Sequence, residues 1–136
     1  MPTGEEESRQ RIRDWYGLES DVLAEIEREV IGGDNGANGY TTRAQVDDIA
    51  ARLRLHGGTR VLDVGTGRGW PALCFAATFG CRVVACDVPI EGLEVGMRRA
   101  RHDGLDRLVG FVAASGEALP LREGSFEALV HTDTLC

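Results

Sequence analysis

The chain lacks any apolar run approaching the roughly 20 residues that a membrane-spanning helix needs. Its start, "MPTGEEESRQR", is acidic and polar, so no secretory signal peptide is expected. The expected location is therefore cytoplasmic, with no membrane partner. It also lacks a basic excess. The formal net charge is −7, which argues against binding a phosphate backbone as the main role. No nucleic-acid partner is expected, although a local basic patch could still hold one. Cysteine is sparse and badly spaced for metal. Cys74, Cys81, Cys86 and Cys136 form no CxxC and no zinc-like spacing with histidine, so no metal site is expected. The first three sit among apolar residues, where cysteine acts as a small hydrophobe. Internal repeats are absent.

What remains is an ordinary globular composition, 43% apolar and 27% charged, in 136 residues. That length can bury a core without disulfides or metal. The first part reads as helical. Residues 5–16 form a helix with the acid-first pairs Glu5–Arg9 and Glu7–Arg11 and a small apolar face of Ile12, Trp15 and Tyr16, broken at Gly17. A second helix spans 19–31, with Val22, Leu23, Ile26 and Val30 on one side. "GGDNGANGYTT", 32–42, is a loop by composition. Thr42 and Gln45 are spaced as a capping box for a third helix, whose buried stripe is Val46, Ile49, Ala50 and Leu53.

The rhythm then changes to strand and helix in alternation. Strands are predicted at 60–64, 81–87, 108–114 and 126–132. Helices are predicted at 70–79, with Pro71 in the first turn, and at 90–102, with Ile90, Leu93, Met97 and Ala100 on one face and Gly104 as the stop. This alternation predicts a parallel α/β sheet with helices on its faces.

Between the first strand and its helix lies "VLDVGTGRGW", with Gly65, Gly67 and Gly69 at alternate positions. Such a turn lies at the carboxyl edge of an open α/β sheet, where missing side chains let a ligand approach the backbone. A plain tight turn would usually need one glycine. The dinucleotide pattern GxGxxG would require glycine at position 70, which is Trp70, and the stretch has no lysine for a phosphate P-loop. Asp87, at the end of the second strand, suits both hydroxyls of a ribose, with helix capping as its plainer role.

"LDVGTGRG", "ACDV" and "GEALPLREGSFEALV", in that order over residues 40–136, resemble class I S-adenosyl-L-methionine-dependent methyltransferases, most closely the small-molecule branch related to quinone biosynthesis. The resemblance implies a Rossmann-like, doubly wound parallel sheet in three αβα layers. It implies an N-terminal helical extension and loop over 1–41 and a cofactor domain over 42–136. It further implies that Asp63, Gly65, Thr66 and Gly67 hold the amino-acid end of the cofactor, and that Gly69 lets the helix pack close. Asp87 would take the ribose, Val88 would line the adenine, and Glu117 and Ala118 would hold its edge. Ser115 stands where the family often has an aspartate. Tyr40 and Thr41 fall in a segment that related enzymes close over the cofactor.

The expected reaction is methyl transfer to a small-molecule acceptor, in which the protein mainly aligns the reactants and excludes water. No catalytic residue is assigned. His131, near the end of the fourth strand, could act as a base or be a plain polar residue at a strand end. Trp70 reads as packing before substrate recognition. His56 and His102 sit at helix ends, where the dipole favours them.

The family sheet has seven strands in the order 3-2-1-4-5-7-6, and the sequence supplies the first four. The expectation is therefore the cofactor half only: a fragment, a truncated remnant, or a chain completed by self-association through the strand-four edge. The alternative function is a nucleoside- or S-adenosylmethionine-binding module without catalysis.

Overall fold

Thr3 and Thr42 begin two helices in the same way. Each hydroxyl accepts a backbone N–H three residues on, from Glu6 or Gln45, and that residue's side chain accepts the threonine's own N–H. The computed structural model describes residues 1–133, so Cys136 lies outside the described residues. Its elements are α1 (Gly4–Gly17), α2 (Asp21–Val30), α3 (Arg43–Arg52), β1 (Arg60–Val64), α4 (Ala72–Phe79), β2 (Arg82–Asp87), α5 (Ile90–His102), β3 (Val109–Ala113) and β4 (Ala128–Val130). No helix among the described residues is long and apolar enough to cross a membrane.

The four strands form one parallel sheet in the order β3-β2-β1-β4. This is the α/β, Rossmann-like arrangement predicted from the strand–helix alternation. Both crossovers, through α4 and α5, step in the same direction along the sheet. Right-handed crossovers therefore place both helices on one face. That face holds the core, where Val61, Val83 and Val109 meet Ala72, Phe75 and Ala76 of α4 and Val46 and Ala50 of α3. Cys74 and Cys81 join this core, and Cys86 is also buried; all three are free thiols whose pKa burial raises. Leu62 points the other way by strand alternation, and its register partner is Leu129. With Leu119 and Leu121 they line a groove of about 550 Å³.

Several elements depart from expectation. The apolar side of α2 is not its packing side. Val22, Ile26 and Val30 are exposed, whereas Glu27 is only 8% exposed. The Glu27 carboxylate accepts the backbone N–H groups of Asn35 (2.6 Å) and Ala37 (3.1 Å), so its burial comes with partners. Leu53, the cap that follows α3, is exposed. On α5, Leu93 and Ala100 are buried, but Ile90 and Met97 are exposed and Gly92 and Gly96 take the inner positions. A side chain at either glycine would collide with backbone below. The turn before α4 runs on through Trp70, so the helix starts at Ala72 and Pro71 is its cap instead of its first residue. β4 pairs only along Val61–Asp63 and is three residues long.

Candidate active site

The glycine turn folds back over the head of β2. Gly65 and Thr66 donate their N–H groups to the Cys86 carbonyl, at 2.8 and 3.0 Å. Gly65, Gly67 and Gly69 all have positive φ, at 76°, 60° and 91°, which L side chains resist. At Gly67 a Cβ would also strike the side chain of Asn38. From the other side α5 closes in. A Cβ on Gly92 would lie 2.7 Å from the Gly67 carbonyl oxygen and 2.7 Å from the Tyr16 ring. The turn is thus packed between α5, where backbone meets backbone, and the Asn38 side chain of the 32–42 loop.

Two carboxylates organise it. Asp87 accepts the Gly67 N–H at 2.7 Å with one oxygen and the Val88 N–H at 2.7 Å with the other. Asp63 is fully buried beneath the turn. Its Oδ2 accepts the Thr66 hydroxyl at 2.8 Å, and its Oδ1 has no partner. Burial pushes the Asp63 carboxyl up to about 7, against the bond from Thr66 and the nearby Ala72 N–H; the Asp87 charge pushes the same way as burial. Tyr16 of α1 is also raised, first by burial and then by the Asp87 charge.

The structure therefore brings Asp63, Gly65, Thr66, Gly67, Gly69 and Asp87 into one turn. Val88 follows Asp87 and is exposed. Glu117 and Ala118 lie on an exposed turn after β3. The Ser115 hydroxyl accepts the Glu117 N–H at 3.2 Å, and its carbonyl accepts the Ala118 N–H at 3.1 Å. Ser115 thus shapes this turn itself. Gly116 brings it to the end of β1, where an added Cβ would lie 3.2 Å from Val64 Cγ1. His131 reaches the same place. Its Nδ1 lies 3.2 Å from the Val64 carbonyl, and a carbonyl only accepts, so that nitrogen is the donor. Trp70 is buried, and its indole N–H donates to the Thr41 carbonyl at 2.8 Å.

Two neighbours of the turn carry no local sequence signal, Asn38 and Tyr16. Composition marks 32–42 only as a loop, and Tyr16 reads as part of a small apolar helix face. An open cavity of about 600 Å³ lies between α2 and α5, lined by Leu23, Ile26 and Val30, by Arg98 and His102, and by Tyr40. The exposed apolar side of α2 faces it. None of the sequence-predicted cofactor residues lines it.

Chemically, the Asp87 carboxylate beside a turn of glycines accepts hydroxyl donors and disfavours a 2′-phosphate. A group with ribose hydroxyls fits this arrangement, and Trp70 stands where the dinucleotide pattern needs its last glycine.

Comparison with known proteins agrees. Residues 61–136 match the family described as "Methyltransferase domain". The chain is 36% identical over 83 residues to methyltransferase GfsG of Streptomyces halstedii, covering 61% of this chain and 30% of that protein. Among solved structures, a geranyl diphosphate methyltransferase in complex with SAM is 27% identical with a TM-score of 0.62, covering 77% of this chain and 46% of that one. The [4+2]-cyclase SpnF is 25% identical with a TM-score of 0.64, covering 94% and 48%. The matched stretch thus spans less than half of each of these relatives. Strand order, glycine turn and acid all fall within the matched residues, and the chain belongs to the methyltransferase domain family.

Proposed function

We propose that this chain is the cofactor-binding part of an S-adenosylmethionine-dependent methyltransferase acting on a small-molecule acceptor. The observation that carries the reading is Asp87 bonded to the Gly67 N–H, over a buried, partly unpartnered Asp63. Trp70 in place of the last glycine of GxGxxG supports this cofactor over a dinucleotide. The likeness to an enzyme named for geranyl diphosphate supports a small acceptor.

When bound, the cofactor supplies a methyl group already activated by a positively charged sulfur. The chain's own residues do the holding. Asp87 receives the ribose hydroxyls, and Asp63, Gly65, Thr66 and Gly67 shape the place for the amino-acid end. Gly69 lets the turn run into α4, Val88 flanks the adenine, and the turn of Glu117 and Ala118 meets its edge.

Calorimetric titration with S-adenosylhomocysteine tests the reading, with Asp87→Ala and NADH as controls. Binding by the wild-type chain, lost in Asp87→Ala and absent for NADH, is the expected result. A folded wild-type chain that prefers NADH would sink it. The likeness to SpnF, named a cyclase, favours a second reading in which the fold binds the cofactor without transferring its methyl group. Incubation with methyl-labelled cofactor and terpenoid or polyketide acceptors separates the two, since only the first moves label.

A further inference from the structure

The loop between α2 and α3 is tied down at two places, by Glu27 of α2 and by Asp133 from far along the chain. At residues 35–37 it is held by Glu27. At residues 40–41 it is held by Asp133, just beyond β4. One oxygen of Asp133, Oδ2, accepts the Tyr40 N–H at 2.9 Å, the Thr41 N–H at 2.9 Å and the Thr41 hydroxyl at 2.7 Å. Opposite, the Trp70 indole N–H donates to the Thr41 carbonyl. Between these anchors the Asn38 side chain lies against Gly67 of the glycine turn. Gly39 has no space to spare, since a Cβ there would lie 2.5 Å from the same Asp133 oxygen. Asp133 itself adopts φ 55°, a conformation uncommon for a residue with a side chain, although aspartate tolerates it better than most.

We propose that Asp133 is a positioning residue: it holds residues 38–41 as a strap against the glycine turn, and so sets the affinity for the cofactor without touching it. A charged acceptor shared by three donors gives the strap one location, and Asn38 transmits that location to Gly67. The affinity half of this proposal rests on the cofactor reading above; the anchoring half does not.

The strap carries its own reporter. The chain has two tryptophans, so in a Trp15→Phe background the emission comes from Trp70 alone. Three quantities are measured in Asp133→Ala, Asp133→Asn and Thr41→Val: Trp70 emission without ligand, hydrogen exchange of the Tyr40 and Thr41 amides, and calorimetric affinity for S-adenosylhomocysteine. Asp133→Ala is expected to red-shift the emission, expose both amides and weaken binding about tenfold or more. Asp133→Asn keeps an acceptor oxygen and is expected to restore most of all three, which a general loss of stability would not do.

Unchanged emission and exchange in Asp133→Ala overturn the proposal. So does an affinity within about twofold of wild type when the amides are exposed. If Asp133→Ala does not fold, Thr41→Val, which removes one donor, decides: wild-type emission and affinity in that variant overturn it. A wild-type chain that binds no S-adenosylhomocysteine overturns the cofactor reading and the affinity half with it. Emission and exchange then still decide the anchoring half.

Discussion

Asp87 Oδ2 accepts the Gly67 N–H at 2.7 Å, so the acid that ends β2 also caps the turn that follows β1. The capping role of this carboxylate and its proposed role at the ribose are separable by substitution. Asp87→Ala is expected to lose about 1–3 kcal/mol of stability, because the Gly67 N–H loses a charged partner, and to lose S-adenosylhomocysteine binding. Asp87→Asn keeps one acceptor oxygen for Gly67 but offers a poorer site to two hydroxyls. Its urea midpoint should lie nearer wild type while its affinity stays low. Equal losses of both kinds in the two variants would count against this division.

Glycine at 96 is needed for space. An added Cβ would lie 2.7 Å from the Phe111 ring and 2.9 Å from the Arg68 carbonyl oxygen. Alanine in a helix normally gains up to about 1 kcal/mol over glycine. Here the methyl meets backbone that cannot step aside, and Gly96→Ala is expected to cost about 1–3 kcal/mol. Gly4→Ala in α1, where the methyl meets nothing within 4 Å, serves as the control and should be neutral or slightly stabilising. Denaturation midpoints of the two variants give the comparison directly.

Asp63 makes stability fall as pH rises. Its carboxyl titrates at about 7 in the folded chain, against 3.8 as the ordinary value. Between those values the folded state keeps a proton that the unfolded chain has released. The contribution is fully present below the unfolded value and is lost as pH rises through the folded one, at up to about 1.4 kcal/mol per pH unit. Asp63→Asn removes this dependence. Urea midpoints taken at about pH 5 and about pH 8 should drop further for wild type than for the variant. Parallel drops would show that Asp63 does not titrate in this window.

Glu27 replaces a buried apolar residue in holding α2 to its loop. Glu27→Ala leaves the Asn35 and Ala37 N–H groups without their acceptor and is expected to cost about 2–4 kcal/mol. Val22→Ala, on the exposed apolar side, should cost under about 0.5 kcal/mol. Reversal of that order would restore the apolar side as the packing side.

Local pattern made the main elements legible. β1, and α5 from Ile90 to His102, fall where the apolar runs and the Gly104 stop put them. The Thr42–Gln45 spacing forms the predicted capping box. The three glycines take positive φ as the turn implies, because turn conformation is set by near neighbours, and the parallel pairing of β1 with β2 sets Asp87 beside them. The wrong faces have one cause. Hydropathy predicts which side of a helix prefers burial, not what it meets. α5 meets the backbone of the glycine turn, which admits Gly92 and Gly96 and turns Ile90 and Met97 outward. The length of β4 was illegible for a related reason: a strand ends where its partner's pairing ends, here at the Val61–Asp63 segment of β1.

The sequence by itself determined the order of strands and helices, the glycine turn with its acid, and through them the family. Those depend on dihedral preference and short-range periodicity, which a linear string carries. Only the tertiary structure decided that Glu27 is buried, that Asn38 lies against Gly67, and that Asp133 holds Thr41 from 92 residues away. Such contacts arise from the sum of packing and hydrogen bonding across the whole chain, and no local pattern encodes that sum.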